Sequence, residues 1–155
     1  MWKLTIVLII IVTGCKKAVV PSFHEFEKTW TVPSTFDQTW EATIELFAAR
    51  GWPIEVLEKD SGIIASDWVR INNQDGYADC GEAGWGIGVG RREVEFNIFV
   101  KRDMQEGPRL TVNCNFHELR IYSGYYSTNH SFTECNSTGK LEAEIYAQIL
   151  DIIKQ

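Results

Sequence analysis

The sequence predicts an α+β fold: an antiparallel sheet of about five strands with two helices packed on one face, in the order β-α-β-β-β-β-α. Three observations carry this expectation. Residues 34–51 and 140–154 place apolar side chains at spacings of three and four, the period of a helix with one buried face. Residues 92–101 and 110–117 alternate apolar and polar side chains, as strands do when one face is buried and the other meets water. Short strand-like runs lie between and before them, separated by turn residues, so neighbouring strands run antiparallel.

Taken in order, Phe26, Trp30 and Val32 share one parity and suit a half-exposed first strand over residues 26–32. In the first helix Phe36, Trp40, Thr43 and Phe47 line one face. Ser34 is a good N-cap residue, Asp37 puts a carboxylate in the first turn, Gly51 suits a left-handed C-cap, and Pro53 prevents continuation. A helix of about 16 residues is roughly 24 Å long, close to the length of an eight-residue strand, so a sheet can cover it. Residues 54–58 and 63–69 flank Lys59-Asp60-Ser61-Gly62 and read as a hairpin. Residues 72–90 are rich in glycine and read as a loop. Within them Gly84-Trp85-Gly86-Ile87-Gly88 lacks the third glycine, the Lys-Ser/Thr pair and the strand-to-helix setting of a nucleotide-binding loop.

In residues 92–101, Val94, Phe96, Ile98 and Val100 fall on one face, with Glu93, Glu95, Asn97 and Lys101 opposite. After a Glu106-Gly107-Pro108 turn, Leu110, Val112, Cys114 and Phe116 repeat the pattern against Thr111, Asn113, Asn115 and His117. Residues 122–134 show no period and read as a polar, tyrosine-bearing loop. In the last helix Leu141, Ile145, Ile149 and Ile152 form the stripe, widened by Tyr146, Leu150 and Ile153, behind Ser137 and Thr138 as caps.

A chain of 155 residues, 45% apolar and 23% charged, fits one domain with a single core. Residues 1–14 differ from the rest: Lys3 supplies a positive start, the run from Leu4 to Val12 is broken only by Thr5, and small residues follow. The run is too short for a bilayer span of about 20 residues and reads as a secretory signal. Val12-Thr13-Gly14-Cys15 resembles the lipobox of bacterial lipoproteins. The resemblance implies cleavage before Cys15, diacylglycerol on its thiol and an acyl chain on the new amino terminus; these covalent lipids are the only prosthetic groups expected. A plain secretory peptide with an incidental cysteine is the alternative. Lys16 after the cysteine, where aspartate would retain the protein in the inner membrane, implies sorting to the outer membrane, with the domain facing the periplasm. Residues 15–25 then form the lipidated cysteine and its tether, and residues 26–155 a single domain.

Loss of the one lysine in the signal takes the formal charge from −6 to −7. An acidic domain has no electrostatic reason to bind nucleic acid, so the membrane is met through the lipid anchor. Export places Cys80, Cys114 and Cys135 in an oxidising compartment. Cys114 lies mid-strand in the core parity, whereas Cys80 and Cys135 lie in loop-like sequence, so the expected bond is Cys80 to Cys135, closing a loop of about 55 residues worth roughly 4 kcal/mol of denatured-state entropy. Pairing with Cys114, or three reduced thiols, remains the alternative.

The segments Val32-Pro33-Ser34-Thr35-Phe36-Asp37-Gln38-Thr39-Trp40-Glu41-Ala42, Arg50-Gly51-Trp52-Pro53-Ile54 and Asp60-Ser61-Gly62-Ile63-Ile64-Ala65-Ser66-Asp67-Trp68, with Cys135-Asn136-Ser137-Thr138-Gly139-Lys140-Leu141-Glu142 before the last helix, resemble the helix-grip modules of the BamC/NlpB outer-membrane lipoproteins and their relatives. The resemblance implies a helix-grip fold, an envelope protein partner such as the β-barrel assembly machinery, and no catalytic residues. The chain has one module where the namesake has two, and a far shorter amino-terminal segment.

His24, His117 and His130 have no close spacing of the kind a zinc site uses, and no nucleophile elbow is present. Glu93 and Glu95 on one strand face read as solubilising acids. Neither an enzyme nor a metal site is expected. Among the tryptophans, Trp40 and Trp52 belong to the core, while Trp68 and Trp85 flank the glycine-rich loop and either pack or touch a ligand. The function expected is a non-catalytic structural or interaction module at the periplasmic face of the outer membrane. The alternative is a binding module for a small apolar ligand held between the first helix and the sheet.

Overall fold

The structure, a computed structural model, describes residues 17–155; residues 1–14, expected to be a signal, and Cys15 lie outside the described residues. The elements are β1 (Thr29–Thr31), α1 (Phe36–Arg50), β2 (Ile54–Glu58), β3 (Ile63–Ser66), β4 (Val69–Ile71), β5 (Ala78–Asp79), β6 (Ile87–Lys101), β7 (Arg109–Ser123), β8 (Thr128–Ser137) and α2 (Lys140–Ile153). The architecture is α+β, with two helices on one large open antiparallel sheet. The sheet has eight strands rather than about five, in the order β2-β3-β6-β7-β8-β5, with β1 added to β7 and β4 to β6. Seven strands rather than four therefore separate the helices.

The hairpin of β6 and β7, 15 residues each, is the axis of the sheet. One end of β6 pairs with β3 and the other with β4, while β7 pairs with β1 at one end and β8 at the other. Its register sets Val100 against Leu110, Ile98 against Val112, Phe96 against Cys114 and Val94 against Phe116, all buried. The expected alternation is thus the core face. The next pair in the same ladder is Arg92 against Glu118, also buried.

Helix α1 is closed at its start by Thr35 rather than Ser34. The Thr35 hydroxyl accepts the Gln38 N–H and the Gln38 side chain accepts the Thr35 N–H, a reciprocal pair that Ser34, one residue earlier, cannot form with position 38. Ser34 bonds the Thr39 hydroxyl instead. At the other end Gly51 takes φ 65° and donates back to Ala48 and Phe47. Phe47 meets Phe96 edge-on at 6.0 Å, and Glu142 of α2 bears on Cys114, the cross-strand partner of Phe96. Both helices therefore cover the same face. The buried side of α1 is Thr39, Trp40, Ala42, Thr43, Leu46 and Phe47; Phe36 is only half-buried, under the Arg102 guanidinium at 3.7 Å.

Neither Ser137 nor Thr138 is the N-cap residue of α2: Gly139 holds that position at φ 82° with no side-chain bond of its own. The Ser137 hydroxyl accepts the Gly139 N–H and donates to Glu142, and the Thr138 hydroxyl donates to the carbonyls of Gly76 and Tyr77. These bonds fix the glycine-rich segment to the start of α2.

The stretch 122–134, expected as a loop, contains the first part of β8. Its side chains are exposed on both faces over most of the strand, so no two-residue period appears, and the backbone ladder to β7 is what holds it. Likewise residues 72–90 include β5, two residues long, and the start of β6. Cys80 and Cys135 are joined by a disulfide and Cys114 is free and buried.

Residues 17–28 are docked on the domain. Val19 makes a two-bond bridge with Glu82, the Ser22 N–H donates to Asp79 at 2.9 Å, and the Asn136 amide donates to the carbonyls of Pro21 and Ser22. The N–H groups of Gly81 and Ser22 hold the Asp79 carboxyl below its usual range. Phe26 packs where a side chain on Gly139 would have to lie, and Lys28 accepts the Val112 N–H.

Gly51 and Gly139 both have left-handed backbone, but a Cβ on Gly51 meets nothing within 4 Å, whereas one on Gly139 runs into the Phe26 ring. Gly51→Ala is expected to cost only about 1–2 kcal/mol of backbone strain, and Gly139→Ala distinctly more. Urea denaturation of the two variants checks the order.

Candidate functional site

The sheet face away from the helices carries a groove of about 600 Å³ where β8 leaves β7. Cys135 is the last β8 residue paired with β7, opposite Phe116; beyond it Asn136 and Ser137 turn away to pair with β5. At its other end β7 is covered by β1 as far as Thr111 and by the Lys28 carbonyl at Val112. Beneath this stretch the Glu142 carboxyl, from the first turn of α2, is buried beside Cys114 and accepts the Ser137 hydroxyl at 2.9 Å.

Over this gap stands a ladder of rings. Trp68, from the turn between β3 and β4, stacks on His117 of β7 at 3.7 Å, and His117 stacks on Phe132 of β8 at 4.0 Å. The Arg91 guanidinium lies 5.4 Å from the centre of the Phe132 ring and its Nε donates to Glu93 at 2.8 Å. Glu93 also bonds His117 Nε2 at 2.8 Å. Burial alone would raise the Glu93 carboxyl, but its bonds to His117 and Arg91 outweigh that and leave it below its ordinary value. The rim is polar, with Glu95, Asn115, Glu134 and Asn136. Carboxylates and amides in this arrangement can accept and donate hydrogen bonds to an extended polar chain, beside an aromatic wall.

Of the residues singled out from sequence, Trp68 lines this groove and is 38% exposed. Trp85 does not join it. It stands 85% exposed just before β6, at the Tyr122 end of β7, roughly 17 Å along the strand from His117 at about 3.4 Å per residue. Cys135 borders the groove, Cys80 lies behind it through the disulfide, and Cys15 is outside the described residues. The space between α1 and the sheet is filled by Phe47, Trp52 and Phe96, with Phe47 and Phe96 fully buried.

Sequence reading missed Glu93, His117, Phe132 and Glu142 as a group. His117 and Glu93 are cross-strand partners on the outer face, so pairing the two alternating strands in register would have brought these two together. Phe132 and Glu142 had no such signal, since one lies on the strand read as loop and the other looks like a first-turn helix acid.

Beneath the other face, Arg92, Glu118 and Arg120 form a buried ionic cluster. Glu118 accepts from Arg92 at 2.7 Å and from Arg120 at 2.9 Å; Arg92 also donates to the Ala78 carbonyl and Arg120 to the Cys80 carbonyl. Arg92 Nε and Arg120 Nη1 find no acceptor among the described residues. Also among the described residues, no group of three or more His, Cys, Asp and Glu is placed to hold a metal ion, and no helix is long and apolar enough to cross a membrane. Compared with protein-family models and with curated proteins, the chain matches none.

Burial pushes the Glu142 carboxyl above its ordinary value against the opposing bond from Ser137, and burial followed by the Glu142 charge pushes the Cys114 thiol well up. With its folded pKa above the unfolded one, Glu142 favours the fold fully below about pH 4.5 and loses that contribution as pH rises through the folded value. Glu142→Gln, which keeps an acceptor for Ser137 without the charge, is expected to flatten the decline of stability from pH 4 towards neutrality. Urea midpoints across that range, compared with the parent chain, check it.

Proposed function

We propose that this chain is a lipid-anchored lipoprotein of the bacterial envelope, a non-catalytic interaction module of the helix-grip kind held at the periplasmic face of the outer membrane. The observation that carries the reading is the docking of residues 17–28. The segment that follows the lipobox cysteine lies along the edge closed by the Cys80–Cys135 disulfide, so the edge built for an oxidising compartment is the one nearest the anchor. Two helices on one face of an antiparallel sheet support the helix-grip reading. Two or three acyl chains, each worth about 0.8 kcal/mol per buried methylene, make a permanent anchor.

The groove under Trp68, His117 and Phe132 is the surface for an envelope partner, and its open strand edge and polar rim suit an extended polypeptide segment. The β-barrel assembly machinery is the partner that the resemblance brings.

Cys15→Ser is expected to move the protein from the membrane to the soluble periplasmic fraction; retention in membranes would remove the anchor. A photo-crosslinking residue in place of Asn115 is expected to capture an envelope protein, and one in place of Lys101, at the turn end of the β6–β7 hairpin, is not. Equal yields from the two positions would count against the groove.

A further inference from the structure

The two ends of the β6–β7 hairpin differ in chemistry. The turn end carries Lys101, Arg102, Asp103, Glu106 and Arg109. At the other end, residues 83–90 and 121–133 contain no Asp, Glu, Lys or Arg, although 23% of the chain is charged. That end instead presents Trp85, Tyr125 and Tyr126 at 85%, 93% and 94% exposure. The ladder brings them together: Ile87 pairs with Tyr122, so Trp85 projects just beyond one strand end, and Ser123 pairs with Thr128, so Tyr125 and Tyr126 form the tip of the next hairpin.

The amino-terminal segment reaches the same end. A side chain on Gly84, the neighbour of Trp85, would touch Ala18 at 3.7 Å, and Val19 bridges Glu82. From Lys17 back to Cys15 is two residues, at most about 7 Å of chain. A lipid on Cys15 would therefore hold this uncharged, aromatic end at the bilayer surface.

Exposed Trp and Tyr are the side chains that settle at the boundary of headgroup and hydrocarbon, because each joins an apolar ring to one hydrogen-bond donor. Carboxylates would be desolvated there, and this end has none outside Glu82, whose backbone is held by Val19. We propose that Trp85 and the Tyr125–Tyr126 tip insert into the interfacial layer of the phospholipid bilayer that holds the Cys15 lipid, fixing the domain's orientation on the membrane. This rests on the lipid-anchor reading above.

The test uses the lipidated mature protein in phosphatidylcholine vesicles whose acyl chains are brominated near the headgroup. Tryptophan emission is expected to be quenched, and Trp85→Phe to reduce that quenching about threefold, since Trp30, Trp40, Trp52 and Trp68 lie elsewhere in the fold. Tyr125→Ser with Tyr126→Ser, which leaves Trp85 in place, is expected to reduce it about twofold by letting the end lift. Raising salt or adding phosphatidylglycerol is expected to change little, because the contact is not electrostatic. Quenching that is absent, or unchanged in Trp85→Phe, in protein that still sediments with vesicles and carries lipid on its Cys15 peptide overturns this contact and leaves the anchor standing. A Cys15 peptide of unmodified mass overturns both.

Discussion

The register of β6 against β7 is the constraint on which the rest of the molecule depends. One slip by a residue would turn Val94, Phe96, Ile98 and Val100 to water. It would also separate Arg92 from Glu118, the buried arginine–carboxylate pair of that ladder. Breaking a buried ion pair by removal of one partner typically costs about 3–5 kcal/mol, because the remaining charge is left desolvated. In this sheet the guanidiniums also donate to Ala78 and Cys80, so the cluster ties the irregular segment before β6 to the core. Register, ionic cluster and loop position are one problem with one solution.

From that cluster the order spreads outward. Cys80, held by Arg120 through its carbonyl, is bonded to Cys135, where β8 parts from β7. The parting opens the groove on one face. On the other face the Glu142 carboxyl is buried beside Cys114, bonded to the Ser137 hydroxyl and with no cation partner among the described residues. The same edge accepts the amino-terminal segment through Asp79, Glu82 and Asn136. Groove, disulfide and docking site for residues 17–28 therefore meet along the edge that Cys80 and Cys135 join.

How far the sequence discloses this follows from what each element rests on. Both helices and the inward parity of β6 and β7 rest on apolar periodicity, and all four were legible. The first part of β8 rests on backbone bonds between side chains that mostly face water, so its sequence looks like a loop. Had the alternation of Leu110, Val112, Cys114 and Phe116 been continued, Glu118 and Arg120 would have fallen in the buried parity with opposite charges, a legible sign of an ionic cluster. The cap of α1 shifted by one residue because the reciprocal bond to Gln38 decides between Ser34 and Thr35, which propensity cannot. Trp68 and Trp85 are alike in sequence setting, yet one enters the ring ladder through His117 and the other stands at the uncharged end of the sheet. Only the strand pairing separates them.

The central claim is that the disulfide edge and the amino-terminal segment form one cooperative unit, distinct from the β6–β7 core. Amide hydrogen exchange of the oxidised and the reduced chain tests it most directly. The Val19 and Glu82 amides bond each other's carbonyls and the Thr138 amide bonds Tyr77, so reduction is predicted to speed exchange at all three, with the amides of Phe96 and Val100, which bond Ser66 and Gly62, left slow. Unchanged exchange at Val19 and Glu82 on reduction, or equal acceleration throughout β6 and β7, would contradict it.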